Sequence, residues 1–237
     1  ARHAPQRYRL GFDAGYRSRD VCQLRPELLL KLPWTPATDS PLRPLPGRPA
    51  HPYYAQEHEQ QLRMVRPSTI RVEVPAVPDG YRLRQYGPAD EQAYNDLFHL
   101  AFKDVGALAQ TLDRALDNGF FVIEHLASGY LVATCVAERG GWDSTPEIGI
   151  LGWLAGDPSH SGLGLGTLAA AQVTNRLSEE GFGRPGLRTD DFRLAAIKIY
   201  LHQGWRPYLH LDDMRQRWTE TFERLRKRLR PEDCVEP

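Results

Sequence analysis

The chain reads as an α+β fold: a mixed, mostly antiparallel central sheet with helices on both faces. A Pro-rich N-terminal extension precedes it and a C-terminal helix closes it. Three observations lead there. Of the 19 prolines, 12 fall before residue 80, so regular structure concentrates after that point. From Tyr81 onward, short alternating or apolar runs are separated by turn residues, with a hairpin signal at Ala127-Ser128-Gly129. Between and beyond these runs lie segments with apolar residues at helical spacing, opened by Pro and Asp or ended by Gly. The organisation that follows is an extension over residues 1–79 packing on the core, then one domain over residues 80–237.

Each element has its own reason. LPWTPATDSPLRPLPGRPAHP, from Leu32 to Pro52, is too rich in proline for a helix or a central strand, and reads as an extended arm. Trp34, Tyr53 and Tyr54 give it apolar surface to pack with. YYAQEHEQQLRMVR, between Pro52 and Pro67, reads as one helix, and RVEVP (71–75) as a short strand. YRLRQY (81–86) alternates as a strand does. Pro88-Ala89-Asp90 opens the helix DEQAYNDLFHLAF, with Ala93, Leu97, Leu100 and Ala101 on one stripe. GALAQTLDRALDN predicts a second helix, stopped by Gly119. FFVIEHL (120–126), GYLVATCVAE (129–138) and EIGILGWLA (147–155) form an antiparallel meander. A helix over TLAAAQVTNRLSEEG (167–181), a strand over PGLRTD (185–190) and a helix over RLAAIKIYLHQ (193–203) follow, the last stopped by Gly204. After the short strand RPYLHL comes DDMRQRWTETFERLRKRL, a helix whose stripe is Met214, Trp218, Phe222, Leu225 and Leu229. Its charged face is a solvated face.

Composition excludes several classes. Thirty Lys and Arg balance thirty Asp and Glu, so there is no one-signed field for nucleic acid. Lys31, Lys103, Lys198 and Lys227 are the only lysines; the arginine excess reads as coding from GC-rich, bacterial DNA. Cys22, Cys135 and Cys234 are far apart and form no CxxC pair, which argues against a zinc site. No apolar run reaches the roughly 20 residues that span a bilayer, so no membrane partner is expected, and a reducing cytoplasm fits.

The chemistry sits in LGWLAGDPSHSGLGLGTLAAAQVTNRL (151–177). An apolar strand breaks at Gly156-Asp157-Pro158; Gly162, Gly164 and Gly166 follow at every second position; a helix then begins. Backbone N–H groups in such a turn can wrap one anion, helped by the positive end of the helix. Gly164-Leu165-Gly166-Thr167-Leu168-Ala169 also satisfies the dinucleotide pattern G-x-G-x-x-A, with Asp190 a little over 20 residues on. The seven residues GDPSHSG between strand and glycines, and the antiparallel elements before them, argue against that reading.

This segment resembles the acyl-CoA motif of the GNAT acyltransferase superfamily, whose pattern is Arg or Gln, two residues, Gly, one residue, and Gly or Ala. Ala196, Tyr200, Gly204 and Trp205 resemble that family's later Ala-x-x-x-Tyr-x-x-x-Gly-aromatic motif. The resemblance covers about residues 81 to 210 and implies the following. The fold is GNAT-like and the co-substrate is acetyl-CoA, with no metal. The acyl group passes directly to a primary amine of a small molecule or protein. Leu154, Ala155 and Gly156 offer backbone hydrogen bonds to the pantetheine arm. Backbone groups of Ser161, Gly162, Leu163, Gly164, Leu165 and Gly166 hold the pyrophosphate, with Thr167 at the helix start. Tyr200 protonates the departing thiolate. A catalytically weak or inactive CoA-binding module is the alternative from another class, and a homodimer is compatible with the fold.

Two departures stand out: Ser161 replaces the Arg or Gln, and Gly156 replaces a branched residue before Asp-Pro. The strand position where many members carry a glutamate base holds Ile150; Glu147, three residues earlier and so facing the other side, is the candidate base that remains on this strand. Histidine is a common general base, which makes His125, on an earlier strand, and His160, in the arm, further candidates, although each more commonly reads as a surface or core histidine. Asp190 and Asp191 follow the strand that borders the substrate cleft and could attract a cationic acceptor; Asp191 alternatively caps the next helix. The family's usual last hairpin strand is missing here. We expect the extension, through a segment such as RVEVP, to cover the surface it would have filled.

Overall fold

The computed structural model describes residues 61–67, 69–102, 108–140 and 148–237. The proline-rich arm with Trp34, Tyr53 and Tyr54, and also Glu147, lie outside the described residues. The elements run β1 (Leu62–Val65), β2 (Tyr81–Gln85), α1 (Glu91–Phe102), α2 (Leu108–Arg114), β3 (Ala115–His125), β4 (Tyr130–Gly140), β5 (Ile148–Gly156), α3 (Leu165–Glu180), β6 (Gly186–Thr189), α4 (Leu194–His202), β7 (Arg206–Tyr208) and α5 (Met214–Arg224). They form one seven-stranded sheet in the order β2-β3-β4-β5-β6-β1-β7. All neighbours are antiparallel except β5 and β6.

Helices cover both faces, as the pattern predicts. Leu165, Leu168, Ala169 and Val173 of α3 and Ile197 and Tyr200 of α4 pack with Ile123, Cys135, Ala137 and Leu151 of the sheet. On the other face Tyr94, Leu97 and Phe98 of α1 and Leu108 of α2 meet Val122, Leu131, Val136 and Ala155. Alternation explains the split: Cys135 and Ala137 point one way along β4, Val136 the other. The buried stripe of α1 is Tyr94, Leu97 and Phe98, not the expected Ala93, Leu97, Leu100 and Ala101. The large aromatics remove more apolar surface from water than alanines do, so the helix rotates to bury them.

The segment 62–65, expected within a helix, is instead β1, pairing with β6 on one side and β7 on the other. It sits where the missing hairpin strand was expected. Leu62, Met64 and Val65 are almost wholly buried, and this tertiary burial overrides a local helical pattern. RVEVP forms no regular strand. The backbone of Val72 is satisfied by one side chain: Asn175 Oδ1 accepts from its N–H at 2.8 Å, and Asn175 Nδ2 donates to its carbonyl at 3.0 Å. An amide clamp on α3 thus replaces a ladder.

The second helix is also shorter than expected. β3 begins at Ala115, with a register shift between Ala115 and Phe120. Gly119 lies in that shift; a Cβ there would stand 2.9 Å from the Leu116 carbonyl and 3.0 Å from that of Ala137. The glycine permits close strand approach rather than stopping a helix. The last helix ends at Arg224, earlier than expected: its stripe is Met214, Trp218 and Phe222, all buried, while Leu225 and Leu229 pack against the same core from beyond the helix end.

Candidate active site at a splayed parallel seam

β5 and β6 are joined by a single parallel pair, Ile150 with Gly186. Beyond it the two strands share no pair. Leu154, Ala155 and Gly156 therefore keep their β6-facing backbone edge unpaired among the described residues, while Ala155 and Gly156 pair with Thr134 and Ala133 on the β4 side. An extended acyl-carrying chain could add there as a strand does.

Past Gly156 the chain turns sharply. Asp157 Oδ1 accepts from the Ser159 N–H at 2.8 Å and from its hydroxyl at 2.6 Å, capping the turn Pro158–His160. The Tyr81 hydroxyl lies 2.7 Å from His160 Nδ1, and the His125 and His160 rings sit 4.9 Å apart. These contacts pin the near end of the arm to β2 and β3. His125 and His160 thus act in positioning the arm.

Gly162 (φ 83°) and Gly164 (φ 77°) both adopt left-handed backbone. A Cβ at either would meet nothing within 4 Å, so these glycines are required by conformation, and the space beside them is open. Gly164 is the N-cap of α3 and has no side chain to satisfy it, so the first N–H groups of this 16-residue helix face outward unpaired. Gly166 has a different reason: a Cβ would stand 3.2 Å from Ile199 Cδ1, so it lets α3 approach α4. The turn, the two left-handed glycines and the open helix end make a concave set of N–H donors that fits a pyrophosphate. Ser161 is exposed at its start.

Tyr200 is buried on α4, 6.5 Å ring to ring from Trp205. Burial raises its pKa well above the usual phenol range, so the hydroxyl stays protonated at neutral pH. A polar network fixes this helix: Gln203 Nε2 donates to the Thr167 carbonyl at 3.0 Å, the Thr174 hydroxyl to Gln203 Oε1 at 3.1 Å, and Trp205 Nε1 to Thr174 Oγ1 at 3.2 Å.

Asp190 and Asp191 are both engaged. Asp191 is buried and holds Arg217 of α5 by two hydrogen bonds, 2.6 and 3.1 Å, and its carbonyl accepts from Arg224. Asp190 accepts from Arg193 at 2.8 Å and from Gln61 at 3.0 Å. Asp191 does not cap the helix: the N-cap of α4 is Arg193, with no side-chain cap. A buried carboxylate committed to a guanidinium anchors α5 to the end of β6 rather than greeting an acceptor.

One polar side chain at the seam escaped the sequence reading. Glu138 of β4 pairs directly across from Ile150 of β5. Residues opposite each other share a face, so its carboxyl lies one strand away from where Ile150 replaces the family glutamate, on the α1 face. Trp153 Nε1 donates to Glu138 Oε1 at 3.1 Å, and a Cβ on Gly152 would stand 2.6 Å from Oε2. Burial pushes its carboxyl up to about 7, against the lowering effect of the Trp153 hydrogen bond. In the sequence Glu138 is only the last residue of the run GYLVATCVAE, and nothing in that run marks it as buried.

No helix is long and apolar enough to cross a membrane, and no cluster of metal-binding residues occurs, among the described residues. The dinucleotide reading does not fit: β5 belongs to an antiparallel meander, and a turn separates it from the glycines.

These features define an acyltransferase fold opened at one seam, and the chain belongs to the acetyltransferase (GNAT) family, whose model matches residues 83–205, just over half of it. Its curated relatives include the mycothiol acetyltransferase of Salinispora tropica, 32% identical over 163 residues, which cover 61% of this chain and 50% of that protein. The mycothiol acetyltransferase of Thermobispora bispora is 30% identical over 156 residues, 60% of this chain and 52% of that one. The chain thus spans about half the length of the curated relatives it matches. A GCN5-related N-acetyltransferase from Sphaerobacter thermophilus shares the fold at a TM-score of 0.50 and 19% identity, over 62% of this chain and 49% of that one.

Proposed function

We propose that the chain transfers an acetyl group from acetyl-CoA to a primary amine of a small molecule. The observation that carries this reading is the continuous backbone track from the unpaired edge of Leu154–Gly156 into left-handed Gly162 and Gly164 and the open start of α3. The edge takes the pantetheine arm; the N–H groups of residues 161 to 166 take the pyrophosphate, and Thr167 stands at the helix start. Because Ser161 brings no long cation, affinity rests on backbone donors. The name carried by both curated relatives favours a small-molecule acceptor over a protein.

Acetyl-CoA supplies an activated thioester carbonyl. The protein holds it beside the amine, so proximity lowers most of the barrier. The amine nitrogen bonds to the carbonyl carbon as the C–S bond breaks, and Tyr200 gives its proton to the leaving thiolate. The nitrogen's surplus proton then returns to the tyrosinate.

The test is thiol release from acetyl-CoA with glucosamine, tyramine and spermidine as acceptors, covering polyhydroxylated, aromatic and polycationic amines. Amine-dependent release supports transfer. Tight acetyl-CoA binding with no release from any acceptor would instead favour the inactive binding module, the reading that Ile150 and Ser161 encourage.

A further inference from the structure

We propose that Glu138 is the general base of this transfer, and that Trp153 and Gly152 position it, the carboxylate having moved from β5 to the neighbouring strand β4. The inference rests on the acyl-transfer reading above.

Four observations converge on it. Glu138 stands across from Ile150 on β4, the strand next to β5, so its carboxyl reaches the same face one strand away from the splayed seam. Gly152 leaves the room it occupies, since any Cβ there would collide with Oε2. Trp153, which orients the carboxyl through Nε1, has a φ of 53°, a strained conformation for a bulky residue, and β4 and β5 carry a register shift between Thr134 and Val136. Strain and bulges of this kind re-aim side chains at functional positions. Finally, Tyr94 and Thr111 bring two buried hydroxyls beside it, polar groups on the α1 face that a substrate or relay water could use.

The groups facing Glu138 are Tyr94 from α1, Thr111 and Arg114 from α2 and Trp153 from β5. Burial opposes the carboxylate, while the Trp153 hydrogen bond, the Arg114 charge and the Thr111 hydroxyl favour it. The carboxylate takes one proton from the substrate ammonium, directly or through water, and leaves the free amine pair to attack the thioester carbon. That proton later leaves to solvent; the second N–H proton follows the path through Tyr200. Amine and cofactor thereby enter from opposite faces: Glu138 serves the α1 face, while Tyr200 packs in the core on the α3 face.

The test compares wild type, Glu138→Gln and Glu138→Asp, using the best acceptor among glucosamine, tyramine and spermidine. Glu138→Gln should lower kcat about 10²- to 10³-fold, keep the acetyl-CoA Kd within about threefold of wild type, and abolish the rise in kcat centred near pH 7. Glu138→Asp, which keeps the carboxylate, should recover part of the rate. Trp153→Phe should move the pH midpoint upward, by removing the hydrogen bond that favours the charged form. The assignment is overturned if Glu138→Gln keeps wild-type turnover and its pH midpoint, or if it loses acetyl-CoA binding, which would mark a structural role. Failure of the transfer reading itself would show differently, as a wild type that releases no thiol.

Discussion

The two halves of the sheet, either side of the β5–β6 seam, are assembled in opposite ways. The β2-β3-β4-β5 half is a meander in which each strand follows its neighbour in sequence. The β6-β1-β7 half gathers three short strands, with β1 drawn from more than 120 residues upstream: Leu62 pairs with Thr189. Local pairing needs little loop closure, whereas the distant pairing must offset a large one. The long half carries Glu138 and the bend into the arm; the short half completes the other wall of the seam. The wall opposite β5 is therefore completed by β1, a strand that lies outside the span matched by the family model.

Breaking the short half should have the largest effect. Leu62 of β1 is wholly buried and pairs with Thr189 of β6. Leu62→Ala should cost about 2–5 kcal/mol in urea unfolding, and acetyl-CoA affinity should fall with it because the β6 wall loosens. Unchanged stability would mean that β1 adds little to this half.

Next comes the chemistry at the seam. Tyr200→Phe should lower kcat about 10²-fold while leaving acetyl-CoA binding intact, since the ring still packs by Trp205. A pH-dependent effect distinguishes the α1 face of the long half. Burial pushes Asp96 and Glu138 each up to about 7, from ordinary values of 3.8 and 4.5. The folded chain then holds their protons more tightly than the unfolded chain does. Their stabilisation is complete below about pH 4 and is lost as pH rises toward 7, by at most roughly 1.4 kcal/mol per unit for each group. Asp96→Asn should flatten the urea midpoint measured across that window; an unchanged slope would contradict the burial of its carboxyl.

Legibility followed the same division. The conformation of the arm could be read because backbone carries it: Gly162 and Gly164 are demanded by φ, and glycine spacing announces them. The meander could be read because alternation is local. Glu138 could not, since a carboxylate at the end of an apolar run looks like a strand terminus until α1 and α2 bury it. β1 could not either; LRMV has too few residues to separate strand from helix, and its partners lie far off in sequence. Asp191 misled for a related reason, because its partner Arg217 stands 26 residues away on a helix whose charges read as solvated.

The most direct test of the account is isothermal titration of the protein and its Gly164→Val variant with acetyl-CoA, with NAD as control. A branched side chain at φ 77° strains the arm and fills the open space beside it. The account predicts saturable acetyl-CoA binding by wild type, at least tenfold weaker binding by the variant, and no binding of NAD. Equal acetyl-CoA affinity in both proteins, or binding of NAD without acetyl-CoA, would contradict it.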